Sequence, residues 1–163
     1  MTAEALLTLC SQNGWTIATA ESCTAGLIAG ALTELPGSSA MFDRGFVTYS
    51  NDAKQEMLGV LPETLAGHGA VSEEVAREMA LGALTRASCQ LAVSVTGIAG
   101  PGGSEHKPEG RVCFAIATPK GVASETQDFG ALGRSAVRAT TVAHAIGLLF
   151  DAALQMCPSN GQT

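Results

Sequence analysis

The sequence predicts an α/β protein: a mixed, mostly parallel sheet of about five strands with helices on both faces, on three observations. Helical and strand-like segments alternate along the chain. Leu91–Thr96 (LAVSVT) is apolar almost throughout, as a strand covered on both faces is. Thr118-Pro119-Lys120-Gly121, with Pro second and Gly fourth, marks one late turn and so an antiparallel hairpin. The 163 residues suit one domain. That domain is expected over residues 1–157, and the polar end, 158–163, is expected to be a flexible tail.

Each element has a local cause. Ala5, Leu6, Leu9 and Cys10 fall at helical spacing, and Gly14 stands where a C-terminal cap belongs, so residues 3–13 form a first helix. Trp15–Ala20 reads as a short strand, and Glu21-Ser22-Cys23-Thr24-Ala25-Gly26 opens a second helix ending near Leu35, before Pro36-Gly37. Gly45–Ser50 (GFVTYS) is a second strand, followed by Asn51 as the N-cap of a short helix that carries Lys54 and stops at Gly59. Pro62 opens another brief helix. Ser72 caps a helix over 73–87, whose first turn holds two carboxylates and whose apolar stripe is Val75, Met79, Gly82 and Ala83. After Leu91–Thr96 comes a glycine-rich loop from Gly97 to Gly110, then hairpin strands at Arg111–Thr118 and Val122–Phe129, then a long helix over 134–156.

Composition narrows the function. With 46% apolar and 15% charged residues the chain is compact, and a net charge of −6 leaves no broad footprint for nucleic acid or an anionic membrane. Anything anionic must bind locally. Five scattered cysteines with no C-x-x-C pair fit reduced thiols in a cytoplasmic protein. The amino terminus lacks the pattern of a signal peptide, and no uninterrupted apolar run reaches the roughly 18 residues of a membrane span. The three histidines stand apart from one another and from the cysteines, so neither a metal nor another cofactor is expected.

Sheets of this kind place ligands at the carboxyl ends of strands. Three such ends carry chemistry: Glu21-Ser22-Cys23-Thr24, then Tyr49-Ser50-Asn51 with Lys54, then Thr96-Gly97-Ile98-Ala99-Gly100-Pro101-Gly102-Gly103. A serine on a tight strand-to-helix turn presents its hydroxyl beside free N–H groups, which serves nucleophilic attack and oxyanion stabilisation; the plainer alternative makes Ser22 or Thr24 an N-cap. Cys23 is the rival nucleophile, or a buried inert thiol. Serine needs a base, and no G-x-S-x-G elbow or nearby histidine supplies one. Of the three lysines, Lys54 alone follows a strand end in a sparsely charged stretch where burial would lower its pKa, whereas Lys107 and Lys120 read as solvated. Tyr49, the single tyrosine, either orients a proton or is half-buried core. The glycine-rich segment is no Walker A motif, but its amides form a candidate anion nest; otherwise it is an ordinary loop. On the last helix Arg134 reads as surface and Arg138 as able to reach inward to an anion.

The strings TAESCTAGLIAGALT, RGFVTYSNDAKQEMLGV, HGAVSEEVAREMALGAL and VSVTGIAGPGGSEHKPEG closely resemble the CinA C-terminal domain family over nearly the whole chain. The resemblance implies a three-layer α/β/α sandwich that acts, without metal or cofactor, as a nicotinamide-nucleotide amidase. Such an enzyme hydrolyses nicotinamide mononucleotide to nicotinic acid mononucleotide and ammonia in pyridine-nucleotide recycling. It places a serine–lysine pair on Ser22 and Lys54 and the family's tyrosine on Tyr49. Cys23, Thr24, Asn51, Thr96, Gly97, Gly100 and Arg138 are then expected to contact the mononucleotide. A homodimer or higher homo-oligomer is expected, with no nucleic-acid or membrane partner. Ala25 departs from the family pattern where the first Gly of a Gly-Gly pair is usual, and His106 departs where an acid is common. The alternatives are a non-catalytic nucleotide-binding module and an amidase for another pyridine nucleotide amide.

Overall fold

The structure, a computed structural model, describes residues 3–158; most of the expected tail, 159–163, lies outside the described residues. In chain order the elements are α1 (Ala3–Asn13), β1 (Ile17–Glu21), α2 (Leu27–Thr33), β2 (Phe42–Val47), α3 (Asn51–Leu58), α4 (Pro62–His68), α5 (Glu73–Ala87), β3 (Leu91–Gly97), β4 (Arg111–Thr118), β5 (Gly121–Asp128) and α6 (Arg134–Met156). The strands form one sheet in the order β2-β1-β3-β4-β5. β2, β1 and β3 are parallel, while β4 pairs antiparallel with β3 and with β5, so β4 alone runs against the other four.

Period-two alternation divides the sheet into a large-residue face and a small-residue face. Ile17, Leu91, Val93, Val95, Val112, Phe114 and Ile116 point toward α1, α2 and α6. Their neighbours Ala18, Ala20, Ala92, Cys113, Ala115 and Ala117 point the other way, against α5 and the end of α3. Alanine on that second face lets α5 lie close to the sheet, and α5 itself contributes Ala76, Ala80, Ala83 and Ala87. The result is the three-layer arrangement of helices, sheet and helices.

Three boundaries differ from the expectation. α2 begins at Leu27 rather than near Ser22, because Ala25 (φ 47°) and Gly26 (φ 98°) are left-handed and no helix of L-residues runs through them. β2 begins at Phe42, earlier than Gly45; it is an edge strand whose Asp43 and Arg44 face solvent, so its apolar pattern is faint. Ser50, not Asn51, caps α3: Ser50 Oγ accepts from the Ala53 N–H at 3.0 Å, and Asn51 is the first helical residue. α6 is also, by length and composition, apolar enough to cross a membrane despite having no unbroken apolar run, because its Ala, Val, Ile, Leu and Phe residues outweigh the scattered polar ones. Here Val137, Thr141, Ala145, Leu149 and Ala153 form its buried stripe.

The closest approach on the small-residue face positions α3. A Cβ on Gly82 would sit 2.0 Å from the Leu58 carbonyl oxygen, so only glycine lets α5 meet the end of α3. Arg86 Nη1 then donates to that same carbonyl at 3.1 Å. Gly82→Ala is therefore expected to destabilise the fold by about 1–3 kcal/mol, the usual cost of overpacking, read as a lower urea midpoint.

Candidate active site

The parallel strands β1, β2 and β3 end on one side of the sheet, and the segments that leave them surround a cavity of about 320 Å³. β1 delivers Ser22, the segment after β2 delivers Tyr49, Asn51 and Lys54, and β3 delivers Thr96, Gly97 and the glycine-rich loop. Eight of the expected contact residues line this cavity: Ser22, Cys23, Tyr49, Asn51, Lys54, Thr96, Gly97 and Gly100. Thr24 and Arg138 do not. The Thr24 hydroxyl turns away to Glu21 Oε1 at 2.6 Å. Arg138 donates from Nε to the Cys23 carbonyl at 3.1 Å and from Nη2 to the Thr24 carbonyl at 3.3 Å, so it braces the turn from outside.

At the cavity floor Lys54 is 1% exposed, and its Nζ lies 3.0 Å from Ser22 Oγ, 2.8 Å from the Thr48 carbonyl and 3.2 Å from the Tyr49 carbonyl. Among the described residues no carboxylate pairs with it. Burial without a counter-charge pushes its pKa down from 10.5 to about 8. An ammonium has three N–H bonds and three acceptors here; once it loses a proton, two N–H bonds still serve the two carbonyls and the lone pair is left for the Ser22 hydroxyl. That is the geometry of a base waiting for a proton. Tyr49 takes part through its backbone carbonyl rather than by orienting the amine with its ring: the ring is 60% exposed, and its hydroxyl accepts from Arg134 Nη2 at 2.9 Å.

Cys23, adjacent to Ser22, is buried, and burial pushes its thiol up to about 11. It stays protonated at neutral pH, and a thiol is a far weaker nucleophile than a thiolate. Ser22 is the side chain in contact with Lys54 Nζ. The glycine-rich loop is strapped down on two sides. Lys107, expected to be solvated, donates to the His68 carbonyl at 2.8 Å and the Val71 carbonyl at 2.5 Å. Arg134 is exposed, as expected, and from the cavity wall it donates to the Gly100 carbonyl at 2.8 Å. Thr96 spends its hydroxyl on the Ala70 carbonyl at 2.8 Å, so it contributes loop placement. No three His, Cys, Asp or Glu side chains among the described residues gather as metal ligands.

A sequence model of the CinA C-terminal domain matches residues 1–153. The chain belongs to the CinA C-terminal domain family. It is 54% identical over 143 residues to the nicotinamide-nucleotide amidohydrolase PncC of Escherichia coli, covering 87% of each chain. A CinA-like protein of Chloroherpeton thalassium is 62% identical over 111 residues, which are 68% of this chain and 26% of that longer protein. Among solved structures, the competence/damage inducible protein CihA from Agrobacterium tumefaciens superposes with a TM-score of 0.90 at 52% identity, covering 94% of this chain and 93% of that one. The CinA domain therefore occurs both alone and as part of larger proteins.

Two residues of the site escaped the sequence reading. Arg134 stands four residues before Arg138, one turn along the same helix face, and that spacing was the available signal. Glu21 is an isolated charge closing an apolar strand, and it is 1% exposed. The lysine makes a stability prediction as well. Because unfolded Lys54 binds a proton up to its ordinary pKa while the folded residue releases it near 8, stability is expected to rise between about pH 8 and 10.5. Lys54→Met is expected to remove this rise, measured by urea unfolding across that range.

Proposed function

We propose that the chain is an amidohydrolase that hydrolyses the carboxamide of nicotinamide mononucleotide to nicotinic acid mononucleotide and ammonia, with Ser22 as nucleophile and Lys54 as base. The single observation that carries the mechanism is the buried Lys54 Nζ, 3.0 Å from Ser22 Oγ and with its pKa lowered to about 8. The choice of substrate is supported by the high identity to an enzyme named for that reaction, aligned over most of both chains.

In the proposed cycle, neutral Lys54 takes the Ser22 proton as Oγ bonds to the carboxamide carbon, and the carbonyl oxygen becomes an oxyanion. The N–H groups of Cys23 and Thr24, which donate to no other residue among the described ones, stand on the nucleophile's own turn to receive that charge. Collapse breaks the C–N bond, and the Lys54 proton leaves with ammonia. Neutral Lys54 then takes a proton from a water as that water attacks the ester carbon, and as the Oγ–C bond breaks the lysine returns a proton to Ser22 Oγ, freeing the acid. At pH 7 roughly a tenth of the lysine is neutral, so the rate should climb toward pH 8. The phosphate fits the outer cavity, where Arg134 and the amides of the glycine-rich loop supply positive potential to an otherwise acidic protein. Arg134 lines the cavity and Arg138 does not, so Arg134 is the better phosphate partner.

An ammonia-release assay tests this reading. Ser22→Ala is expected to lose about 10³-fold or more of kcat, while Cys23→Ala keeps most of it. Lys54→Arg should be nearly as inactive as Lys54→Ala, because a guanidinium keeps the charge but gives up no proton near neutrality. Wild-type-like turnover in Lys54→Arg would remove the base from the mechanism. Activity should persist in chelator, and nicotinamide riboside should be much the poorer substrate for want of a phosphate. Equal rates on the two would reject the phosphate assignment.

A further inference from the structure

Glu21 is a buried carboxylate that the proposed chemistry does not use, and its surroundings are built for it. Oε1 accepts from the Thr24 hydroxyl at 2.6 Å and from the Ile28 N–H at 2.8 Å, and Oε2 accepts from the Ala29 N–H at 3.0 Å. Two of these donors are orphan amides of the first turn of α2, where the helix dipole favours a negative charge. The third belongs to the turn that carries Ser22. Strand alternation puts Glu21 on the α2 face and Ser22 on the face of Lys54, so the carboxylate grips the turn without meeting the lysine. An anion on the other face would have paired with Lys54 and raised its pKa.

We propose that Glu21 is a positioning residue for Ser22: from the far side of the sheet its carboxylate fixes the turn Ser22–Gly26 and so sets the direction of the Ser22 hydroxyl and of the Cys23 and Thr24 N–H groups. This rests on Ser22 being the nucleophile. The turn needs such a tie. Ala25 holds a left-handed φ of 47°, and α2 has no side-chain cap from the adjoining residue, Gly26. On the opposite side Ser22 N–H donates to the Val95 carbonyl at 3.1 Å, and Arg138 takes the Cys23 and Thr24 carbonyls. The turn is thereby held at its donors by β3 and Glu21 and at its acceptors by Arg138. Glutamine in place of Glu21 keeps the shape but turns an NH₂ toward one of three converging donors, so one tie must open.

The test compares Glu21→Gln, Thr24→Val, the double variant and Ser22→Ala in nicotinamide mononucleotide hydrolysis, with circular dichroism confirming folded protein at the assay temperature. Glu21→Gln is expected to lower kcat by about tenfold or more with KM changed less than about threefold, the signature of a lost transition-state arrangement rather than lost binding. Thr24→Val, which removes only the hydroxyl tie, should show a smaller fall of the same kind, and the double variant should be no worse than Glu21→Gln alone. A residue that merely capped α2 would lower the melting temperature and leave kcat intact in folded protein; that result, or a rise in KM alone, overturns the inference. Should Glu21→Gln not fold, Thr24→Val decides by the same kcat criterion. An active Ser22→Ala chain overturns the nucleophile reading itself, whereas an inactive Ser22→Ala beside a fully active Glu21→Gln overturns this inference only.

Discussion

The site is organised by the burial of one uncompensated amine. Lys54 sits in an environment that penalises its charge, with two backbone carbonyls and one hydroxyl as its partners and no carboxylate beside it. That arrangement costs stability in every molecule in which the lysine is protonated, and it makes the lysine willing to part with its proton near neutrality. A surface lysine would be held at its ordinary pKa and would be useless as a base at pH 7. The polar atoms that keep Nζ in place are main-chain oxygens, whose positions follow from the strand and cap around Thr48, Tyr49 and Ser50 rather than from flexible side chains.

Holding that amine 3.0 Å from Ser22 requires separate parts of the chain to come into register. β1 sets Ser22 through its parallel pairing with β2 and β3. α3 sets Lys54, and its depth is governed by the contact of Gly82 with the Leu58 carbonyl. The alanine-rich face of the sheet serves the same end, because small side chains under α5 bring the whole helical layer, α3 included, close to the strand ends. Packing density and the Ser22–Lys54 geometry are thus one constraint here.

Charge is partitioned by the same alternation. Glu21 and Ser22 are consecutive, yet the pleat sends the carboxylate to α2 and the hydroxyl to Lys54, so the carboxylate beside Ser22 in the chain does not pair with the amine that Ser22 meets. On the outer rim, Arg134 links the Tyr49 hydroxyl to the Gly100 carbonyl, joining the β2 and β3 loops across the cavity mouth. Arg134 thus places a positive charge at the rim of a chain whose net charge is −6.

By itself the sequence determined the α/β class, the place of most elements, the one late hairpin and which residues bring chemistry. Leu91–Thr96 announced a strand covered on both faces, Ser72 and Gly59 marked helix ends that the structure places there, and Pro119 with Gly121 marked the hairpin turn. Ser22 and Lys54 stood out because each follows a strand end and only two other lysines compete, whereas their contact was decided by the fold. The tertiary structure decided the rest. The start of α2 depends on two left-handed residues and on a carboxylate reaching seven and eight residues ahead, to the Ile28 and Ala29 amides, and no local pattern encodes that reach. Arg138 and Arg134 lie on one helix face, and only the depth at which α6 crosses the turn selects which guanidinium braces the Cys23 and Thr24 carbonyls and which lines the cavity. Lys107 looked solvated because its two acceptors are main-chain carbonyls more than 35 residues away in sequence. Propensity and periodicity report on neighbours along the chain, whereas a hydrogen bond to a distant carbonyl exists only once the sheet has brought that carbonyl within reach.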